Sequence, residues 1–266
     1  MKNYISGVIG RSVRHFFFFI GRFLILSFLL IFVSSGIRGE GGAVLGKVYY
    51  YAVMPGVVCH ETAHAAACLC TGMKIVEFAP FRPHGDVLGY VQWDPGRVTL
   101  WTFIAAFLIG TAPLWFGCAV VWLICRSLVK TRFLPDFRFV FADRPHLSGF
   151  PYWKSVAKTA FFMAKYLLQK GKFSSWPYWI ASYLLFCVIS EMAPSIPDLR
   201  MALPGIGLLA LMIVLLNGIP WMGTKIDRLT VLLQPLFFTM HVVVFFVFLL
   251  DILFFLCIVI PVSILC

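Results

Sequence analysis

The chain has 266 residues, of which 61% are hydrophobic, 17% aromatic and only 12% charged, with 22 Lys and Arg against 11 Asp and Glu. Soluble domains carry about 25% charged and about 45–50% apolar residues, so this composition excludes an ordinary soluble domain and makes lipid the solvent for most of the chain. The net charge of +11 does not point to nucleic acid, because the Lys and Arg fall between apolar runs, where they meet anionic lipid head groups.

Apolar runs predict helices over 15–34, 46–71, 98–125, 178–197, 203–220 and 231–260. Lys2, Arg11 and Arg14 precede the first, which is longer than a signal-peptide core, carries Arg22 and lacks a small-x-small cleavage site. It reads as a retained anchor helix. Between the second and third helices, Lys74 to Phe81 and Val87 to Trp93 are β-prone runs around Pro83-His84-Gly85-Asp86, the pattern of a hairpin. Between the third and fourth, Trp153 to Lys172 places Lys154, Lys158, Lys165 and Lys172 on one helical face, opposite Val156, Phe162, Met163 and Leu167. A basic amphipathic helix on the membrane surface fits this pattern, as does a solvated helix packed on the bundle. The fifth helix holds Pro204, Gly205 and Gly207 and is expected to be broken or re-entrant. The eight Cys form no C-x-x-C pair and read as small buried hydrophobes.

The expected fold is therefore an all-α polytopic membrane protein of about six transmembrane helices, with a small β-hairpin and one basic interfacial helix. It forms a single integral domain over 1–266: a core over 46–200, the anchor over 15–34 and C-terminal helices over 203–260. The expected location is multi-pass in the cell membrane.

The second apolar run carries Cys59-His60-Glu61-Thr62-Ala63-His64, an H-E-x-x-H pattern. Residues four apart share a helix face, so both imidazoles can grip one Zn²⁺, and Glu61 can act as general base toward a metal-bound water. Zinc lowers the pKa of such a water from 15.7 to about 7, which makes hydroxide available at neutral pH. Shuffling this composition produces the pattern ~0.002 times per chain. Ionisable groups at bilayer depth cost roughly 2.5–3.5 kcal/mol each when charged and are functional by default.

A catalytic zinc needs a third protein ligand. Glu191, Asp198, His241 and Asp251 are the ionisable residues left in late apolar segments, with Asp227 in a loop. If helix four runs the same way as helix two, its end lies beside His60 and His64, which selects Glu191 and Asp198. Pro194 and Pro197 break the chain before Asp198, so an unwound backbone can turn that carboxylate inward. Asp198 is the preferred ligand, with Glu191 as rival or as second-shell acid or substrate contact.

On these residues the chain resembles the site-2 protease family of intramembrane zinc metalloproteases, over roughly 46–200. The resemblance implies His60 and His64 as zinc ligands, Glu61 as catalytic acid/base and Asp198 as third ligand. It departs at the last motif, where no Asn opens the proline-rich segment and Arg200, not Gly, follows Asp198-Leu199. The implied activity is zinc-dependent hydrolysis of peptide bonds in or near transmembrane segments of membrane-protein or peptide substrates. Under this reading the run Val87, Gly89, Val91 and Trp93 is a candidate strand edge for holding an extended substrate, or else a re-entrant cover on the site. Gly110 to Gly117 is expected to pack against the zinc helix, and His84, His146 and His241 read as lone polar residues.

The other readings are a non-proteolytic zinc-binding membrane protein, such as a transporter or pseudoprotease scaffold, and another multi-spanning metallopeptidase such as the prenyl-protein type, which requires a downstream Glu ligand. Sidedness stays open. With six spans, Lys2, Arg11, Arg14, Lys74, Arg82, Arg97 and Arg200 share the N-terminal side against Arg38, Lys47, the basic residues of 126–172, Lys225 and Arg228. The charge rule then favours an external N-terminus, and the family's usual arrangement favours an internal one. The oligomeric state is not legible.

Overall fold

A computed structural model describes residues 2–85, 87–129, 149–170 and 175–254, together with residues 256 and 261. Asp86, His146 and Lys172 lie outside the described residues. Helix α1 (Lys2–Phe16) passes through a π-helical turn (Phe17–Gly21) into α2 (Arg22–Leu45), so the anchor expected over 15–34 is the middle of one longer helix. The run expected over 46–71 divides at Val53 into α3 (Lys47–Ala52) and α4 (Met54–Thr71). Pro55 sits in the first turn of α4, where a missing N–H costs nothing, and Gly72 closes the helix in the left-handed conformation at φ 73°.

Strands β1 (Lys74–Ala79) and β2 (Tyr90–Asp94) pair antiparallel, with Lys74 opposite Asp94 and Ala79 opposite Tyr90. The remaining helices are α5 (Leu100–Val129), α6 (Gly149–Lys170), α7 (Trp176–Glu191), α8 (Ile196–Asn217) and α9 (Pro220–Phe254). Among the described residues, four stretches are long and apolar enough to cross a membrane: Tyr4–Gly39, Leu100–Ser127, Ile196–Asn217 and Pro220–Phe254. Helix α7, at 16 residues, is shorter than the roughly 17–25 of a membrane span, and α4 is not among these apolar stretches.

Contacts define the helix directions. Tyr183 Oη donates to Ala52 O at 2.7 Å, and His60 Nδ1 lies 2.6 Å from Glu191 O, so α4 and α7 run parallel. Helix α5 runs against both, with Gly117 at Met192, Gly110 at Asp198 and Ala202, and Phe103 at Gly205. Helix α8 therefore continues in the direction of α7, and the two form one path interrupted at 192–195. This corrects the six alternating spans: 178–197 and 203–220 are successive parts of one path, and the break precedes the fifth segment instead of lying in it. The cause is local. Ser195 caps α8 and Pro197 occupies its first turn, so the proline-rich stretch starts a helix as well as ending one.

At its far end α8 reaches the start of the chain, where the Tyr4 hydroxyl donates to Gly218 O and Arg14 pairs with Asp227 at 2.7 Å. Lys225 and Arg228 therefore lie at the N-terminal end of the bundle, which removes them from the opposite side of the charge tally. Gly110 to Gly117, expected to face the zinc helix, packs instead on the α7–α8 path.

Helix α6 lies against the bundle, the second of its two expected arrangements. Tyr152, Val156, Ala160 and Met163 are buried in the same core as Phe238 and Val242 of α9. Tyr152 Oη is 2.6 Å from His241 Nδ1, and the Arg22 guanidinium stacks 4.1 Å from the Tyr152 ring centroid. Lys154, Lys158 and Lys165 are exposed on the outer face. Phe162, expected on the buried side, is 53% exposed.

The tightest interhelical contact is at Gly56, where an added Cβ would stand 1.8 Å from Cys187 O and 3.1 Å from Glu191 Cγ. Small residues permit such backbone approach between membrane helices. Gly56→Ala is expected to destabilise the protein by about 1–3 kcal/mol through overpacking. It should also weaken metal binding, because α7 carries the carbonyl that holds His60. Gly207, with nothing within 4 Å of its added Cβ, is the control: thermal unfolding in detergent should show a lowered Tm for Gly56→Ala and none for Gly207→Ala.

Candidate metal and active site

Helix α4 presents His60, Glu61 and His64 near its middle. His64 Nδ1 lies 2.8 Å from Ile109 O and His60 Nδ1 lies 2.6 Å from Glu191 O. A carbonyl accepts only from an N–H, so both Nδ1 atoms carry a proton, and in the neutral imidazoles both Nε2 atoms carry a lone pair. Those two Nε2 atoms are 3.1 Å apart. Asp198 Oδ1 is 3.3 Å from His64 Nε2, and Oδ2 is 3.5 Å from His60 Nε2.

Asp198 does not stand on unwound backbone, as its proximity to two prolines had suggested. It occupies the first turn of α8, where Oδ2 accepts from Ser195 N at 2.7 Å and Ser195 Oγ at 2.6 Å, and Ser195 Oγ in turn accepts from Asp198 N at 3.2 Å. This capping box orients the carboxylate. Its sequence signature, Ser195-Ile196-Pro197-Asp198, was readable in advance.

With both imidazoles neutral, two lone pairs and a carboxylate converge, an arrangement that a cation resolves. One ligand atom from each of His60, His64 and Asp198 can be chosen so that all lie within 4.8 Å of one another. Bonds of about 2.0–2.1 Å in a tetrahedron imply ligand separations of about 3.3 Å, close to the spacings here. The donor set fits zinc, with anchored Nδ1 protons as the usual outer support.

Glu191 does not share this position. Its main-chain carbonyl serves His60, and its buried carboxylate lies 3.6 Å from the Arg38 guanidinium. On a continuous helix the seven residues from Glu191 to Asp198 would span about two turns; here the break at 192–195 replaces them.

Strands β1 and β2 fold back along α4. Met73, Ile75, Val91 and Trp93 pack around Cys68, Ala105 and Ile109. Leu88 joins Val57, Val53 and Tyr49, and Phe81 reaches Tyr51 with ring centroids 5.7 Å apart. Gly89 lies so close to the motif that an added Cβ would meet Glu61 Cγ at 2.8 Å. The hairpin therefore covers the zinc helix along its length, and Arg82 near its tip is carried away from the end where Thr71 lies, altering the charge tally again.

Between hairpin and helices is a cavity of about 480 Å³ whose walls include Glu61, His60, His64 and Asp198 together with Val87, Gly89, Val91 and Trp93. Of this run, Val91 and Trp93 lie in β2, and Val87 and Gly89 precede it. The second edge of β2 has no strand partner among the described residues. Tyr90, also on the wall, donates to Glu77 Oε1 at 2.5 Å, and that bond raises the phenol above its ordinary pKa.

Two contributors escaped the sequence reading. Ile109 acts only through its carbonyl, which no side-chain motif announces. Arg38, from α2, enters the cavity wall from outside the 46–200 core. Of the lone histidines, His84 makes a bridge with Val87 and His241 is buried against Tyr152.

No protein-family model matches the chain, and neither the curated proteins nor the solved structures contain a significant match.

Proposed function

We propose that the chain is an intramembrane zinc endopeptidase that cleaves peptide bonds in or near transmembrane segments, a divergent relative of the site-2 proteases. The observation that carries the reading is the convergence of His60, His64 and Asp198 on a cavity whose wall also holds Glu61. Zinc at that position supplies Lewis acidity toward a carbonyl and lowers the pKa of water.

The chain's own residues account for the remaining tasks. Glu61 takes a proton from the attacking water and returns it to the leaving amine. The Glu191 and Ile109 carbonyls hold the imidazoles, and the Ser195 cap holds Asp198. The hairpin limits water access, and its open β2 edge offers backbone groups to an extended peptide by strand addition. A transmembrane helix entering the site has to unwind locally first. The prenyl-protease reading requires Glu191 as ligand, and the Arg38 contact weighs against it. For a pseudoprotease or transporter, the Glu61 carboxylate on the wall has no task.

The test is cleavage of a model transmembrane peptide by purified protein in detergent. Activity should vanish with a strong zinc chelator and return on adding one equivalent of zinc per chain. Zinc-loaded protein that cleaves no such peptide would favour the non-proteolytic alternatives.

A further inference from the structure

We propose that Arg38 is a substrate-binding residue of this site: its guanidinium donates to a main-chain carbonyl of the peptide in the cavity, and Glu191 is the positioning residue that holds it there. The inference rests on the peptidase reading above and adds to it a residue from outside the zinc-binding motif.

Among the described residues Arg38 is the only Lys or Arg lining the cavity, and its side chain is 35% exposed. Its guanidinium lies 3.6 Å from Glu191 Oε2, beyond hydrogen-bond reach, and it makes no hydrogen bond to any described residue. Glu191 is 5% exposed and its Oε1 has no partner among the described residues. A guanidinium has five N–H donors, and none of those of Arg38 is among the buried atoms left without a partner, so they are open to the cavity. The cavity thus offers a set of donors to an occupant.

Charge decides what kind of acceptor fits. Arg38 and Glu191 neutralise each other, so the occupant need not bring a charge. A substrate carboxylate at Arg38 would also face the Glu191 carboxylate, whereas a neutral carbonyl avoids that repulsion. An extended peptide supplies such groups. Laid along the free edge of β2, it turns alternate carbonyls toward the strand and the others away. In a cavity covered by the hairpin, the carbonyls turned away need a protein donor, and the planar fork of Arg38 provides one.

The experiment uses the full-length, zinc-loaded protein and a model transmembrane peptide, comparing wild type with Arg38→Lys, Arg38→Ala and the double variant Arg38→Gln with Glu191→Gln. The double variant leaves neither member of the pair charged without the other, so it stays informative if Arg38→Ala fails to fold. Zinc content and Tm are measured beside KM and kcat. KM should rise by roughly 10- to 100-fold in Arg38→Ala and in the double variant, the scale of a lost hydrogen bond to a charged group. kcat should change less, Arg38→Lys should be intermediate, and methylguanidinium should partly rescue Arg38→Ala.

An unchanged KM in the zinc-loaded variants overturns the proposal, and so does loss of zinc in both Arg38→Ala and the double variant, which would make the pair purely structural. Wild type that holds zinc but cleaves nothing removes the peptidase reading and this one with it. Cleavage with a KM independent of Arg38 removes this one alone.

Discussion

Purified protein carrying His64→Ala or His60→Ala is expected to lose stoichiometric zinc, measured by elemental analysis beside a wild type holding one ion per chain. The two imidazoles and Asp198 are the three protein ligands of the proposed site, and a zinc held by two ligands is not retained through purification. Loss of an outer-shell support alone typically costs about 10–100-fold in affinity, so loss of a direct ligand costs more. Asp198→Asn refines the result: its amide oxygen can still accept from Ser195 and keep α8 capped, but the charge is gone. Zinc should fall while helix content and Tm hold. Stoichiometric zinc in both histidine variants would sink the site.

Glu61→Gln should separate binding from chemistry. Gln keeps the size of Glu and removes the ability to take a proton, and Glu61 is not among the three converging ligands. Zinc should therefore stay near one per chain while kcat falls by about 10²–10⁴-fold, the usual worth of a general acid–base group. Circular dichroism and Tm should match wild type, because the side chain is held beside Gly89 by shape and not by a hydrogen bond with any described residue. Undiminished cleavage would remove Glu61 from the mechanism, and loss of zinc would recast it as a ligand.

Local patterns carried much of this in the sequence. The H-E-x-x-H spacing placed two imidazoles on one face of a helix because 3.6 residues per turn requires it. The two β-prone runs around Pro83-His84-Gly85 became a hairpin, and the basic stretch became a helix over 153–170 with Lys154, Lys158 and Lys165 outward. The same reasoning mistook the proline-rich stretch. Proline ends one helix and also begins the next, and only the Ser195 cap, three residues before Asp198, distinguishes the two outcomes. The helix count went wrong with it, since hydropathy registers two apolar runs whether the chain reverses between them or carries on.

By itself the sequence determined the apolar, helical character of the chain and the pairing of His60 with His64, all of which depend on composition or on residues within about a turn of one another. The tertiary structure decided what depends on distant segments. It brought the Asp198 carboxylate to the imidazoles and turned Glu191 toward Arg38. It folded the hairpin back over α4, and it set the Ile109 and Glu191 carbonyls against the two histidines. Side-chain chemistry repeats at short range and can be read from spacing. Backbone carbonyls, and contacts between residues up to more than 150 positions apart, such as Arg38 with Glu191, leave no periodic trace. They depend on how helices pack, which here turns on close contacts such as Gly56 against Cys187.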